Sequence, residues 1–470
     1  MFHVSIDHTK QEPIYLQIYE YILHEIRSGN LACHERLPSG RALAQDLNIS
    51  RNTVNMAYMQ LESEGYIEAV PKKGYYIKEL DGLLDMHTIG ADEQKGIVKG
   101  KAKSYRVDFS PFGIDLRYAP YRRWQKLTKE TLLDTGAGLF QNGDSQGDLS
   151  LRMAIREYLH RSRGVNCTEN QIIIGAGTDY LLMLLTRVLP EQTTIAIENP
   201  VYQQAYRVLR NFQYPMVPIP IDDEGLDVQA VKNSKANLVF VTPSHQFPYG
   251  IVMPINRRMQ LLNWAYQQEN RYIIEDDYDS EFRYQGKPIP SLQGIDTKNK
   301  VIYLGTLSKA IAPSIRIGYM VLPEPLLELY HKEVSFYATT VSRIEQEVVR
   351  RFIDEGFFER HLNRMRSVYR AKRDCLLSHL EGWNRNVRIT GETAGVHVLL
   401  EFLNSKYSEE ELVQLAEEAG IRVYPVSDYY IEGRTEKPTI LLGYANLSEE
   451  EITEGITILG QVWKTVEEAG

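Results

Sequence analysis

Apolar positions recur with a helical period through the first sixty residues, then with the short solid runs of buried strands beyond residue 170. Tyr15, Ile18, Ile22 and Ile26 share one face of a helix over about 13–27. Leu43 and Leu47 point inward from a short second helix that begins after Pro38-Ser39. Val54, Ala57, Tyr58 and Leu61 fall at i, i+3, i+4 and i+7 of a third helix, with Ser50 as its N-cap. Tyr66–Ile77, turning at Lys72-Lys73-Gly74, predicts a β-hairpin. Farther along, the runs Gln171–Ile174, Thr194–Ile197, Leu238–Val241, Tyr272–Ile274, Val301–Leu304 and Ile317–Val321 alternate with helical stretches such as Asp179–Leu189 and Arg257–Gln267. That alternation predicts an α/β layer on a mostly parallel sheet, whose ligands gather at the carboxyl ends of the strands. From Ser335 the pattern changes to a long helical region, Arg343–Leu380, and strands near Val396–Phe402, Arg422–Pro425 and Thr439–Gly443. A last helix opens on the capping-box pair Ser448 and Glu451, which suits a smaller α+β domain.

The segment Gly82–Lys103 mixes glycine, lysine and acids without sustained periodicity and reads as a linker. The expected division is 1–80, a linker over 81–106, a larger subdomain over 107–334 and a smaller one over 335–470. At 470 residues the chain is long enough for several cores. Its three cysteines make neither a disulfide framework nor a metal-ligand spacing, so no metal is expected. The opening MFHVSIDHTKQEP lacks the basic and apolar regions of a signal peptide. No apolar run approaches the roughly 18 residues of a membrane span. A cytoplasmic location is expected. The net charge of −9 confines any nucleic-acid binding to a local patch.

Such a patch is available on the N-terminal module. Three helices and a hairpin in this order predict a winged helix-turn-helix. Ser50, Arg51, Asn52, Thr53 and Asn55 lie on or near the exposed first turn of the third helix, where a recognition helix meets base edges. Arg36, Ser39 and Arg41 are placed for backbone contacts, and Lys72, Lys73 and Gly74 form a wing suited to phosphates. The alternative is a protein-interaction module with a solvated polar face.

The second unit carries a different chemistry. Pyridoxal phosphate (PLP) requires an amine for a Schiff base, a phosphate cradle, a carboxylate on the pyridine nitrogen and an aromatic face. Lys309, just beyond the run Val301–Leu304, is the candidate amine. Thr306 and Ser308 offer hydroxyls to a phosphate, and Arg316 offers a bidentate cation. Gly175, Ala176, Gly177 and Thr178 lie in GAGTD, between a strand and a helix whose first N–H groups are free to bind an anion. An apolar strand delivers Glu275, Asp276 and Asp277 in succession. Asp276 is favoured for the pyridine nitrogen, with an acid one position away on either side. The Tyr278 hydroxyl would lie near the phenolic oxygen, and Tyr202 in ENPVYQQAY supplies the aromatic face.

LPSGRALAQDLNISRNTVNMAYMQLESEGYI, followed by KKGYYI, closely resembles the DNA-binding domain of GntR-type bacterial regulators. Residues 107–465 resemble fold-type I aminotransferases through SPFGIDLRYAP, GDSQGDLSLRMAIREYL, IIIGAGTDYL, VTPSHQFPYGIVMP, IIEDDYDSEF, GTLSKAIAPSIRIGYMVLP and AGVHVLLEF. The fusion order resembles the MocR-type subgroup of GntR regulators. That resemblance implies Lys309 as the Schiff-base lysine, Ser308 and Arg316 on phosphate, and Asp276 on the pyridine nitrogen. It also implies promoter DNA as a partner and a head-to-tail homodimer.

Three positions depart from the aminotransferase pattern. Phe247 stands where those enzymes place an asparagine against the phenolic oxygen. Asn446, in ILLGYANL, stands where they grip the substrate carboxylate with arginine. Gln204 replaces an arginine of the regulator that answers to γ-aminobutyrate. Losing such a cation costs roughly 2–5 kcal/mol of carboxylate binding. The expectation is therefore a regulator sensing PLP itself and controlling vitamin B6 synthesis, with activation favoured. A regulator answering to an amino acid or amine, and a working aminotransferase, are the alternatives.

Overall fold

The computed structural model describes residues 6–7, 12–79, 104–284, 289–383 and 386–468. Most of the expected linker, 81–106, lies outside the described residues. The chain divides into two compact units, Met1–Lys103 and Ser104–Gly470.

In the first unit, α1 (Ile14–Arg27), α2 (Gly40–Asp46) and α3 (Arg51–Ser63) precede the antiparallel hairpin β1 (Ile67–Val70) and β2 (Gly74–Ile77). Ile18 and Ile22 on α1 and all four predicted α3 residues are buried in one core; Tyr15 packs at its edge. The side chains of Ser39 and Ser50 cap α2 and α3, accepting from Ala42 and Thr53 N–H at 3.1 and 3.2 Å. Each satisfies one of the donors that a helix start leaves without an intrahelical partner.

The second unit is built on an eight-stranded sheet. Its strands are β3 (Ile172–Gly175), β4 (Ile195–Asn199), β5 (Met216–Asp222), β6 (Gly225–Leu226), β7 (Leu238–Val241), β8 (Tyr272–Asp277), β9 (Val301–Thr306) and β10 (Gly318–Val321). Their spatial order is β3-β10-β9-β8-β7-β4-β5-β6. The central strands β9, β8, β7, β4 and β5 run parallel. β10 is antiparallel to both neighbours, and β6 to β5. Separate cores lie on the two faces, one around Leu182, Phe240 and Met320, another around Val239, Leu262 and Trp264. Both faces are covered, so these strands read as solid apolar runs rather than alternating ones.

The long helical region over Arg343–Leu380 is two helices, Arg343–Asp354 and Phe357–Leu380, interrupted at Glu355-Gly356. The smaller sheet consists of β11 (Val387–Thr390), β12 (His397–Phe402), β13 (Tyr424–Pro425) and β14 (Thr439–Gly443), in the order β11-β12-β14-β13. The capping box forms as read: Ser448 N–H donates to Glu451 at 2.6 Å, and Glu451 N–H to Ser448 Oγ at 3.1 Å. One segment sits elsewhere than the sequence suggested. Val107–Asp108 pairs with Ile421–Arg422, and Val107 and Phe109 are buried in the core of the smaller subdomain. The second unit therefore begins within its C-terminal half.

Candidate functional site

The sheet brings most of the predicted ligand-binding residues to one cavity of about 190 Å³. Thr306 ends β9, and Ser308 and Lys309 follow it; Asp276 and Tyr278 come from the end of β8. Gly177 and Thr178 open a helix, α4 (Thr178–Leu185), directly after β3. Tyr202 follows β4, and Arg316 precedes β10. All nine line the cavity, together with Phe112, Asp179, Phe247 and Pro313. Gly175 and Ala176 do not. Gly175 completes β3 against Tyr180 and Leu181, and the Ala176 N–H is taken by Thr340 Oγ1 at 3.0 Å.

The pleat of β8 distinguishes the three adjacent acids. Glu275 turns away and accepts the Leu292 and Gln293 N–H groups at 2.7 and 2.8 Å. Asp277, on the same side as Glu275, pairs with the buried Arg163 at 2.7 Å and accepts the Tyr303 hydroxyl. Asp276 points into the cavity, 4% exposed, and no hydrogen-bond donor among the described residues serves it. Burial, with Asp277 and Asp279 behind it, pushes its pKa up to about 7 against the pull of Lys309. An acid held this way gains from any cation brought to it. Burial also lowers the Lys309 ammonium below the usual lysine range, Asp279 and Asp276 opposing it; Nζ lies 4.7 Å over the Tyr278 ring. Desolvation thus favours a neutral, nucleophilic amine.

The opposite end of the cavity is built for an anion. The Ser308 hydroxyl is buried without a partner among the described residues. Arg316 reaches Ala176 O and Asp179 only at 3.4 Å and is half exposed, so its guanidinium is loosely committed. A Cβ on Gly177 would stand 2.8 Å from that guanidinium, at φ +89°. The sequence could supply only glycine there. Between the two ends stand Tyr202, Phe112 and Phe247, with ring centroids 5.8–6.0 Å apart. Amine, carboxylate, aromatic wall and anion cradle therefore meet in one place. This set fits a phosphorylated pyridine aldehyde.

The departing positions have structural explanations. Phe247 is buried and packs edge-on against Tyr429 at 4.9 Å, so it is part of an aromatic wall. Asn446 donates to Asp108 O at 3.0 Å and abuts Gly113, outside the cavity lining. Gln204 is exposed on the helix after Tyr202. Asp179, Phe112 and Pro313 were missed as lining residues, although all three lie within motifs quoted above.

On the first unit, Arg36, Arg41, Arg51, Asn52, Lys72 and Lys73 are exposed. Thr53 is half-buried, with its hydroxyl 2.9 Å from Ser50 Oγ. Asn55 is also half-buried, its Oδ1 packed beside Gly40 at the start of α2, a tie between helices that the sequence reading had placed on the open face. Gly74 starts β2 under the Arg36 guanidinium. Met56 and Met59 join the open face of α3. Cys33, His34 and Glu79 bring their ligating atoms within 4.8 Å of one another, although no metal spacing was evident in the sequence.

Comparison with known proteins assigns both units. Residues 14–77 match "Bacterial regulatory proteins, gntR family", and residues 115–459 match "Aminotransferase class I and II". The chain is 41% identical to the uncharacterized HTH-type transcriptional regulator YdeL of Bacillus subtilis, over 98% of each protein. It is 31% identical to the probable rhizopine catabolism regulatory protein MocR of Rhizobium meliloti, over 99% of this chain and 97% of that protein. It is 29% identical to the pyridoxine biosynthesis transcriptional regulator PdxR of Corynebacterium glutamicum, over 96% of each chain. Kynurenine aminotransferase of Pyrococcus horikoshii, solved in complex with PMP, superposes with a TM-score of 0.69 at 26% identity, over 77% of this chain and 92% of that one. A GntR DNA-binding unit followed by an aminotransferase fold defines a transcriptional regulator with an aminotransferase-like domain. The chain belongs to the MocR-type regulators of the GntR family.

Proposed function

We propose that this chain is a PLP-binding transcriptional regulator that senses the cofactor itself and controls vitamin B6 synthesis genes, activation being favoured. Lys309 holds the aldehyde carbon. Asp276 keeps the pyridine nitrogen protonated, which gives the bound ring its electron-withdrawing character. Tyr278 meets the phenolic oxygen and Tyr202 the ring face. Thr178, Thr306, Ser308 and Arg316, with the backbone over 177–178, hold the phosphate. Arg36, Arg41, Arg51, Asn52 and the wing lysines engage promoter DNA, with Ser39, Ser50, Thr53, Asn55 and Gly74 shaping that surface. The setting is the cytoplasm; among the described residues no helix is long and apolar enough to cross a membrane.

One observation carries the choice of effector. Lys309 and Arg316 are the only cations among the described residues lining the cavity. With one on the aldehyde and the other on the phosphate, none is left for an amino-acid carboxylate. Asn446 offers no substitute, because it is neutral and lies outside the cavity lining, its amide donating to Asp108 O. The 29% identity to a regulator named for pyridoxine biosynthesis supports the same reading. A second reading, an effector amine without a carboxylate, draws on Phe112, which is 42% exposed at the cavity mouth, and on the relative named for rhizopine catabolism. The domain acts as a sensor rather than an enzyme.

The working form is a head-to-tail homodimer. Tyr121, Leu133, Phe140 and Phe336 expose 72–75% of themselves on the second unit, apolar side chains of the kind a second copy would cover. The test of the effector is an absorbance spectrum of the PLP-loaded protein with a panel of amino acids and amines, beside a promoter reporter carrying Lys309→Ala. The expected result is a cofactor band unmoved by the panel and a reporter that no longer responds. A band shifted by one amine selects the second reading, continued conversion to the pyridoxamine form makes the protein an enzyme, and an unchanged reporter response removes Lys309 from the switch.

A further inference from the structure

Behind Tyr278 sits a buried pair that the proposed PLP site does not use. His245, in the turn after β7, is 2% exposed and places Nδ1 2.9 Å from Asp279 Oδ2 and 3.1 Å from the Tyr278 hydroxyl oxygen. An Nδ1 facing two oxygens, one of them a carboxylate, carries the proton. Burial alone would raise Asp279, but the facing His245, with Lys309 and His397, outweighs it and keeps that carboxyl below its usual range. The ring occupies a slot made for it. A Cβ on Gly395 would stand 2.1 Å from His245 Cε1, and one on Gly250 would stand 3.1 Å from Nε2. Phe247, two residues on, fills the position where an asparagine side chain would reach the phenolic oxygen, and it has no donor to give.

We infer that His245, held by Asp279, is the positioning residue for Tyr278, fixing its hydroxyl so that a single tyrosine donor serves the phenolic oxygen in the absence of the asparagine. The Nδ1–H is shared in a bifurcated bond, its nearer branch to the Asp279 carboxylate that holds the ring and its longer one to the tyrosine oxygen, where it occupies one acceptor site. The tyrosine's own proton is thereby turned away from the histidine and free to point toward the ring. The inference rests on PLP binding at this site as proposed above.

The readout is the pH midpoint of the bound cofactor's absorbance change, which reports the proton affinity of the imine that Lys309 makes with it. A donor on the phenolic oxygen stabilises its negative charge most when the imine proton is gone, so losing the donor raises the midpoint. Among the described residues, Lys309, Asp276, Asp277, Asp279, His397, Glu198 and Tyr278 itself are the titratable groups around the pair. His397, buried and facing His245, is pushed down to about 3 and stays neutral throughout.

Four full-length variants decide the matter: Tyr278→Phe, His245→Ala, their double, and His245→Asn, whose amide restores a donor near Nδ1. The expected result is a rise of about one pH unit for His245→Ala, the size of one hydrogen bond to a charged group. The double should rise no further than Tyr278→Phe alone, and His245→Asn should stay near the wild type. A His245→Ala midpoint equal to the wild type's, or shifts that add in the double, would overturn the positioning role. His245→Leu repeats the test if the alanine chain does not fold. A wild-type protein that shows no cofactor band overturns the PLP reading itself, a different failure from an unmoved midpoint.

Discussion

Asp276 shows what one residue's surroundings do to its chemistry. Its neighbours Glu275 and Asp277 are held by backbone N–H groups and by Arg163, whereas Asp276 faces the cavity with only Lys309 to offset its burial and the acids behind it. In the sequence the three acids were equivalent within one position. Only the pleat, read together with the donors that Leu292, Gln293 and Arg163 supply from distant segments, separates them. A carboxyl raised from 3.8 to about 7 binds its proton more tightly in the folded chain than in the unfolded one. The folded state therefore holds the extra proton between those values, and stability falls as pH rises through the window. Asp276→Asn should remove that loss. Without cofactor, the variant should gain on the wild type between pH 5 and pH 8 by on the order of 1–4 kcal/mol, read from denaturant melts at the two pH values. Its PLP affinity should fall at the same time, since the pyridine nitrogen loses its counter-charge. A variant that gains no stability with pH, or binds PLP as well as the wild type, contradicts the assignment. His245 lies within VTPSHQFPYGIVMP, but nothing in the sequence assigned it a role. A lone histidine in a turn carries no signal until Asp279 and Tyr278 are seen beside it.

At the scale of elements, the strands that carry the site were legible because they are buried on both faces and end in polar residues. β5 was not. Its sequence MVPIPID places Pro218 and Pro220 inside a strand, which argues against a central position. The fold tolerates them because β5 pairs along its length only with β4, its other side meeting the two-residue β6. The break between the helices Arg343–Asp354 and Phe357–Leu380 was hidden by continuous helical periodicity on either side of Gly356. The junction of β3 and α4 yields a sharper expectation. Gly177 adopts φ +89° and ψ 173°, a conformation essentially reserved for glycine, and its missing Cβ leaves room for Arg316. Strain of that kind costs about 1–3 kcal/mol for another residue. Gly177→Ala should lower PLP affinity at least tenfold, measured by absorbance titration, while the far-ultraviolet circular dichroism stays that of the folded chain. Affinity within a factor of two of the wild type would show that the turn is not part of the phosphate cradle.

At the scale of the whole molecule, the charge and the two units together govern how the protein reads DNA. A net charge of −9 repels a polyanion, so the DNA contact proposed above draws on the few exposed cations of α2, α3 and the wing, opposite a small number of phosphates. The first unit has its own core around Ile18, Val54, Tyr58 and Leu61, and the cavity lies entirely within the second. Operator binding and cofactor binding should therefore be separable by mutation. Arg51→Ala with Asn52→Ala changes two exposed side chains that take no part in the first unit's core. In the full chain this pair should abolish specific operator binding in a gel-shift or anisotropy assay and leave the PLP absorbance spectrum and affinity as they were. Lys309→Ala should erase that spectrum while leaving residual operator binding that no longer responds to PLP. The regulatory signal is then the difference between the two states of one chain, since neither variant alone retains both halves of it. If Arg51→Ala with Asn52→Ala shifted the cofactor spectrum, the site would extend beyond the second unit. If Lys309→Ala kept a PLP-dependent change in operator affinity, the cofactor would be acting through a different residue.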